Sequence, residues 1–99
     1  MKITQTRDND HLTIAVAGEI EAVNADELEQ SVLGSLDGVN DLTLDLKDLE
    51  YIASSGLRIL FLLLRAMKPK GTDVIIRNNS DMLKSLFDST GFTPLFKFE

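Results

Sequence analysis

Two strand–helix–strand patterns follow one another within the 99 residues of this chain. Strand patterns are predicted at residues 2–6, 12–16, 42–46 and 74–76. The first two are separated only by the polar turn Asp8-Asn9-Asp10, which predicts a β-hairpin. A helix between two later strands returns the chain to the same end of the sheet, so those strands pair in parallel with right-handed crossovers. The sequence therefore predicts the α/β fold class with a small mixed β-sheet.

The third strand pattern indicates which side of the sheet is covered. Leu42, Leu44 and Leu46 alternate with Thr43, Asp45 and Lys47. A period of two is typical of a strand with one buried face and one solvent face, whereas strands covered on both faces are almost continuously apolar. We therefore expect the helices to lie mainly on one face of the sheet.

Capping signals predict the limits of the helices. Gly18 is expected to end the second strand, and Asn24 lies three residues before Glu27, which is the spacing of a capping box. Apolar residues then recur at helical spacing, at Ala25, Leu28, Val32 and Leu36. Gly38 is expected to end this helix. Two further helices, from Ser54 or Ser55 to about Met67 and from 81 to 88 before Gly91, precede a short strand at 95–98.

Composition restricts the classes of function. The chain has no cysteine, which excludes disulfides, thiol catalysis and thiolate metal sites. Its formal net charge of −6 would repel phosphate backbones and anionic lipid surfaces, so nucleic acid and direct membrane insertion are not expected. Residues 1–5 turn polar too early for a secretory signal, and the longest apolar stretch, 57–67, is well short of the ~18 residues of a membrane span. One cytoplasmic domain, residues 1–99, is predicted.

The sequence does not assemble a catalytic constellation. His11 begins a strand beside a polar turn, where we expect a solvated side chain and not a general base. Ser54 lacks the glycine two residues upstream that a nucleophile elbow has. The acidic stretch at 19–29 does not have calcium-loop spacing, and glycine-rich phosphate loops are absent. We therefore predict a protein that is not an enzyme and that has no metal or cofactor.

The loop after the third strand is the first candidate site. It contains Tyr51-Ile52-Ala53-Ser54-Ser55-Gly56 and leads into a helix. Ligands and partners of open α/β sheets tend to meet such loops, beyond the carboxyl ends of parallel strands. A helix N-terminus would accommodate a phosphate on either serine, and the added charge of about −1.5 to −2 would repel a docked partner. The alternative is that Ser54 and Ser55 are only helix caps.

The helix that follows is the second candidate. Residues 59–64 are apolar without interruption, whereas a one-sided surface helix has a polar face. At helical spacing Arg58 and Arg65 share one direction, and Phe61 and Leu62 lie on either side of it. Apolar groups beside a charged stripe predict a docking surface. The alternative is a buried helix whose two arginines extend outward to solvent.

Three segments of the chain together resemble a known family. The segment Asp45-Leu46-Lys47-Asp48-Leu49-Glu50-Tyr51-Ile52-Ala53-Ser54-Ser55-Gly56-Leu57 is similar to the signature of STAS domains, known from bacterial anti-sigma factor antagonists of the sporulation stage II AA type. Gly18-Glu19-Ile20 resembles the family's motif after the second strand, and Leu86-Phe87-Asp88-Ser89-Thr90-Gly91-Phe92 resembles its segment that closes the third helix. The three segments occur in the family's order over nearly the whole chain.

The resemblance implies a regulatory partner and a phosphorylation site. In that family an anti-sigma factor that is also a serine kinase phosphorylates the first serine of the Ser-Ser-Gly motif, here Ser54, with Ser55 as the second choice. The unphosphorylated antagonist binds the kinase and frees the sigma factor, a serine phosphatase resets it, and nucleotide enters only through the kinase. The partner-binding residues expected on this basis are Glu21, Ala53, Ser54, Ser55, Gly56, Arg58, Phe61, Leu62 and Arg65.

Two residues depart from the family pattern. Ala53 stands where the family typically has Asp directly before the phosphorylated serine, and Glu21 stands where an Asp commonly follows the Gly-Glu motif. Without a carboxylate at position 53, one contact to the kinase or its metal is lost. A second function is therefore kept open, a STAS subunit without a phosphorylation cycle. Such a subunit would dock on the cytoplasmic ATPase of a membrane lipid-transport complex through Phe61 and Leu62.

Overall fold

The structure is a computed structural model that describes residues 1–72, 74–78 and 80–99. Across these residues the chain forms six strands and three α-helices. The strands are β1 (Lys2–Asp8), β2 (His11–Ile20), β3 (Asp41–Asp45), β4 (Leu49–Ile52), β5 (Val74–Arg77) and β6 (Lys97–Phe98). The helices are α1 (Ala25–Leu33), α2 (Ser54–Met67) and α3 (Asp81–Thr90), with 3₁₀ turns at Lys68–Lys70 and Thr93–Leu95.

The strands form one mixed sheet in the order β1-β2-β3-β5-β6. Strands β1 and β2 are an antiparallel hairpin, while β2, β3, β5 and β6 run parallel to their neighbours. Each of the two strand–helix–strand units, β2-α1-β3 and β3-α2-β5, therefore joins neighbouring parallel strands. The predicted α/β class and the mixed sheet are confirmed.

The core lies against one face of this sheet. Ile14, Leu44 and Ile76 are in register across β2, β3 and β5, and all three are buried. Their neighbours in sequence on β2 and β5 are half-buried, as expected where helices lie mainly on one face. Thr43 is an exception to the predicted solvent face of β3, because it is 0% exposed. Its hydroxyl lies 3.0 Å from Nε2 of His11, so a polar pair occupies this position.

Strand β2 does not end at Gly18, as predicted, but continues to Ile20. Gly18 has a φ of +90°, which glycine adopts without a steric penalty, and the strand register shifts between Gly18 and Glu19. Residues 11–15 of β2 pair with β3, and residues 18–20 pair in parallel with β4, with the register shift inside this second pairing. Strand β4 was not predicted, because both of its central residues are exposed and the alternation typical of a strand is missing.

Helix α1 is shorter than predicted and is not closed by a capping box. Asn24 occupies the N-cap position, but its side chain accepts a hydrogen bond from the Glu21 N–H and donates one to the Glu19 carbonyl. The helix ends at Leu33 with Gly34 as its C-cap, and not at Gly38. Leu36 and Val39 are buried beyond the helix, so the apolar spacing continued past its end.

The C-terminal part of the chain follows the prediction more closely. Helix α3 has Ser80 as an N-cap that accepts a hydrogen bond from the Leu83 N–H, and Gly91 closes it with a φ of +79°. The predicted last strand is only Lys97–Phe98, because Pro94 and its neighbours form a 3₁₀ turn before it. Within the described residues, no helix is both long and apolar enough to cross a membrane.

Candidate functional site

Two of the sequence motifs meet at one edge of the sheet. Ile20 and Ile52 are in register at the carboxyl ends of β2 and β4. The Ala53 N–H donates a hydrogen bond of 2.8 Å to the Ile20 carbonyl, which carries the pairing one residue further. Glu21 therefore leaves β2 directly beside the segment that begins α2. The structure brings Glu21, Ala53 and the two serines into one neighbourhood, at the sheet edge where the sequence predicts the site.

Gly56 fixes the first turn of α2 against these strand ends. A Cβ atom on Gly56 would lie 2.6 Å from Cγ2 of Ile20 and 2.7 Å from Cγ1 of Ile52. Side chains essentially never approach that closely, so only glycine allows the helix to begin here without a shift. Because Gly56 is buried, it positions the site and offers no surface to a partner.

Ser54 is exposed and is not a helix cap. The N-cap position belongs to Ala53, which has an extended backbone and no side-chain capping bond, and Ser54 is the first residue of α2. The prediction that Ser54 or Ser55 caps this helix is therefore wrong by one position. The Oγ of Ser55 is buried and has no hydrogen-bond partner among the described residues. Of the two hydroxyls, only that of Ser54 lies on a residue open to solvent.

An open groove borders Ser54. It lies between the β4–α2 junction and helix α3 and encloses about 690 Å³. We call it the Ser54 groove, and its lining residues are Tyr51, Ile52, Ala53, Ser54, Leu57, Met82, Ser85, Leu86, Ser89 and Thr90. None of these residues is charged. Tyr51 and Met82 are both 49% exposed, so two large side chains stand at its border in contact with water.

The α3 side of this groove escaped the sequence analysis. Met82, Ser85 and Leu86 lie on one helix at spacings of three and one, and nothing local to them indicates a neighbour on β4 or α2. The register of α3 against α2 is a tertiary property that helical periodicity does not encode. Tyr51 could have indicated the groove from the sequence, because an aromatic residue beside a candidate loop is typical of binding surfaces.

The side chains of the predicted docking stripe on α2 do not share one environment. The Arg58 Nη2 lies 3.0 Å from Oε1 of Glu29 and so forms a salt bridge with α1. Phe61 is 43% exposed, and its ring centroid is 6.4 Å from that of Phe92. Leu62 is half-buried. Half of the apolar run 59–64 is buried, namely Ile59, Leu60 and Leu63, which agrees in part with the buried-helix alternative.

Phe61 and Arg65 do not reach the Ser54 groove. They line a separate cavity near the C-terminal end of α2. Ser54 precedes Phe61 by seven residues, which is about 10 Å along a helix axis. The nine residues expected to bind a partner therefore form one cluster around Ser54 and a second group, Phe61 and Arg65, further along the same helix. Arg58 lies between the two, and Leu62 lines neither cavity.

Charge and metal chemistry add little at this edge. Within the part of the chain that the structure describes, no group of three or more His, Asp or Glu side chains is placed to hold a metal ion. Glu21, the acidic residue among the predicted site residues, is half-buried. The groove beside Ser54 is therefore lined by uncharged side chains, and Ser54 itself is exposed at its border.

Comparison with known proteins adds a family. The family model described as "STAS domain" matches residues 2–99. The anti-sigma-B factor antagonist of Bacillus subtilis (strain 168) is 32% identical, over 89% of this chain and 80% of that protein.

Solved structures agree on the fold. The anti-sigma factor antagonist SpoIIAA in its unphosphorylated form matches with a TM-score of 0.86 and 15% identity, covering 99% of this chain and 88% of that one. The Bacillus SpoIIAA in its phosphorylated form matches with a TM-score of 0.78 and 15% identity, covering 99% and 91%. At this level of identity the likeness concerns the fold.

Proposed function

The chain belongs to the STAS domain family, and from this membership we propose that it is an anti-sigma factor antagonist that acts by binding and not by catalysis. Support comes from a relative with that function in its name, the Bacillus subtilis anti-sigma-B factor antagonist, at 32% identity. The partner is then an anti-sigma factor that is also a serine kinase. Binding of the unphosphorylated chain would release the sigma factor.

One observation carries the proposal of a phosphorylation switch at Ser54. Its residue is exposed at the start of α2, it does not cap the helix, and it borders an uncharged groove. A kinase can reach such a hydroxyl without unfolding the domain, because Ser54 is exposed and its side chain makes no hydrogen bond among the described residues. The Ser55 hydroxyl, in contrast, is buried. Ser54 is therefore the proposed phosphorylation site, and Ser55 remains the second choice.

The neutral groove explains how a phosphate would act as an off switch. We propose that the partner covers Ser54 and packs against Tyr51 and Met82, which are each 49% exposed. Phosphorylation adds a charge of about −1.5 to −2 at neutral pH. A charge that is buried without a partner charge is strongly unfavourable, and none of the groove residues supplies one. Phosphate removal by a serine phosphatase would restore binding.

The proposal extends to the residues around the phosphorylation site. Glu21 would contact the partner directly, since it lies at the same sheet edge as Ala53 and Ser54. Gly56 would contribute only by fixing the first turn of α2. Nucleotide would reach the complex only as the substrate of the kinase.

Binding to the cognate anti-sigma factor kinase, measured by isothermal titration calorimetry, tests this function. Ser54→Asp should weaken binding at least about 100-fold, because an unpaired carboxylate would be buried in a neutral interface. Ser54→Ala should retain binding and accept no phosphate. Gln30→Glu adds the same charge to an exposed position on α1 and should leave binding unchanged. Tight binding that Ser54→Asp leaves intact would contradict the proposal.

A second function is favoured by the side chain at position 53 and by Phe61. Ala53 offers no carboxylate beside Ser54, and Phe61 is 43% exposed at a distance from it. A STAS subunit that docks on the ATPase of a membrane lipid-transport complex through Phe61 and Leu62 would need neither the kinase nor the phosphate. Such a subunit would bind its ATPase equally well with Ser54→Asp, whereas Phe61→Glu would disrupt the complex.

A further inference from the structure

We propose that the cavity near the C-terminal end of α2 is a binding site for a small amphipathic anion, a carboxylate or phosphate carried on a hydrocarbon or aromatic body. The cavity encloses about 400 Å³. Its lining residues are Phe61, Leu64, Arg65, Lys68, Gly71, Thr72, Val74 and Leu95, and we call it the basic cavity. It is separate from the Ser54 groove, and no residue lines both.

The walls of the basic cavity are apolar. Phe61 and Leu64 come from α2, Val74 begins β5, and Leu95 lies in the 3₁₀ turn before β6. Phe61 and Leu95 are 43% and 46% exposed, so both keep a large apolar surface in water. A ligand with an apolar body would remove that surface from water. Small-molecule sites typically measure about 300–1,000 Å³ and have this kind of lining.

The rim of the basic cavity is cationic. Arg65 and Lys68 are exposed, and neither has an ion-pair partner among the described residues. Arg58, the other arginine of α2, is already paired with Glu29. Two unpaired cations beside an apolar cavity favour an anionic head group, and an arginine can bind a carboxylate or a phosphate through two parallel hydrogen bonds.

This cationic character contrasts with the rest of the chain. From residue 54 to residue 72 the sequence has four Lys or Arg and no Asp or Glu. The remaining residues hold six Lys or Arg and all sixteen Asp or Glu. The run ends before Asp73, which lies outside the described residues. Residues 54–72 therefore carry an excess of positive charge within a chain whose formal net charge is −6.

These features favour a small ligand over a docked protein segment. Stable protein interfaces remove about 800 Å² per partner, an area that a cavity of this size does not supply. The carboxylate and the phosphate share their recognition chemistry here, so the two head groups are separated by experiment.

Titration of the ¹⁵N-labelled full chain with monomeric decanoate, followed by NMR, tests the site. Decanoate should shift resonances of the basic cavity and not those of the Ser54 groove. Decanol should bind about tenfold more weakly or worse, because it keeps the apolar body and lacks the charge. Inorganic phosphate alone should not bind detectably. Decyl phosphate in place of decanoate identifies the preferred head group.

Two variants on the same helix provide a matched comparison. Arg65→Gln should weaken decanoate binding about tenfold, whereas Arg58→Gln, whose arginine faces Glu29 and not the cavity, should leave it unchanged. Lys68→Gln repeats the test if Arg65→Gln fails to fold. Equal effects of Arg65→Gln and Arg58→Gln, or no binding of either amphiphile, would overturn the proposal. Binding to anionic lipid vesicles without binding to monomeric decanoate would also overturn it.

The site does not depend on the proposed anti-sigma function. Ser54→Asp should leave decanoate binding unchanged while it disrupts the kinase complex. Loss of kinase regulation with normal decanoate binding, or the reverse, would show which of the two proposals fails.

Discussion

The two ends of helix α2 are built for different tasks. At the N-terminal end Gly56 locks the backbone against Ile20 and Ile52, and the adjoining groove has no charged residue. At the C-terminal end a cavity is bordered by Arg65 and Lys68, and large apolar side chains stay exposed beside it. The first end is fixed and neutral, and the second is open and cationic.

Because of this difference, we expect the two ends of α2 to respond to different chemical changes. A neutral surface held by the backbone responds strongly to one added charge, which is what a phosphorylation switch requires. A cationic cavity responds to the charge of a ligand and tolerates side-chain changes with little effect on the fold. We therefore expect partner binding to be switched at the N-terminal end of α2 and to be modulated at the C-terminal end.

The largest effect on the fold is expected from Gly56→Ala. In most helices the exchange of glycine for alanine is stabilising, but here the new Cβ would lie 2.6 Å from Ile20. We expect the free energy of unfolding to fall by about 1–3 kcal/mol, as for other overpacked cores, measured by urea denaturation. Ser54→Ala on the same turn is the control and should change it by less than about 0.5 kcal/mol. Full stability of Gly56→Ala would mean that the N-terminal end is not locked.

The next effect concerns the Ser54 groove and not the fold. Met82→Glu places a carboxylate at its rim, and we expect kinase binding to weaken about tenfold or more because the groove offers no opposite charge. Met82 is 49% exposed, so stability should change little. Ala66→Glu, at an exposed position of α2 that lines neither cavity, is the control. Equal binding by Met82→Glu and wild type would remove α3 from the interface.

A smaller effect on partner binding is expected from Phe61→Glu. Phe61 lies beside the basic cavity and is 43% exposed, so the circular dichroism spectrum should remain native. Kinase binding should weaken by only a few-fold, less than with Met82→Glu, because Phe61 lies about 10 Å along the helix from Ser54. A greater loss of binding affinity with Phe61→Glu than with Met82→Glu would show that the C-terminal end of α2 is the main contact. That result would favour the transport-subunit function. An unfolded Phe61→Glu would show that Phe61 belongs to the core.

Much of the fold could be predicted because strand and helix periods are local properties. The alternation of Leu42, Leu44 and Leu46 correctly predicted a strand with one strongly buried face. Strand β4 was missed because both of its central residues are exposed and the alternation of a strand is missing, so only its pairing with β2 in three dimensions identifies it. Gly18 was misread as a strand end, because glycine is typical both of strand ends and of bulges within a strand.

The sequence singled out the loop before α2 as a candidate site, but it did not describe the geometry of that loop. We expected Ser54 or Ser55 to cap α2, whereas the cap is Ala53. The shift of one position changes the role of Ser54, because it frees the hydroxyl. The α3 side of the groove and the separation of Phe61 from Ser54 depend on how helices pack, which residue spacing alone does not determine.

Phosphorylation of Ser54 is the central claim, and intact-mass analysis with site mapping of the protein purified from its own cells tests it most directly. We predict a population that is heavier by one phosphate, located on Ser54 and absent from a Ser54→Ala strain. Ser54 that stays unmodified under every growth condition sampled, or a phosphate located on another residue, would contradict the account.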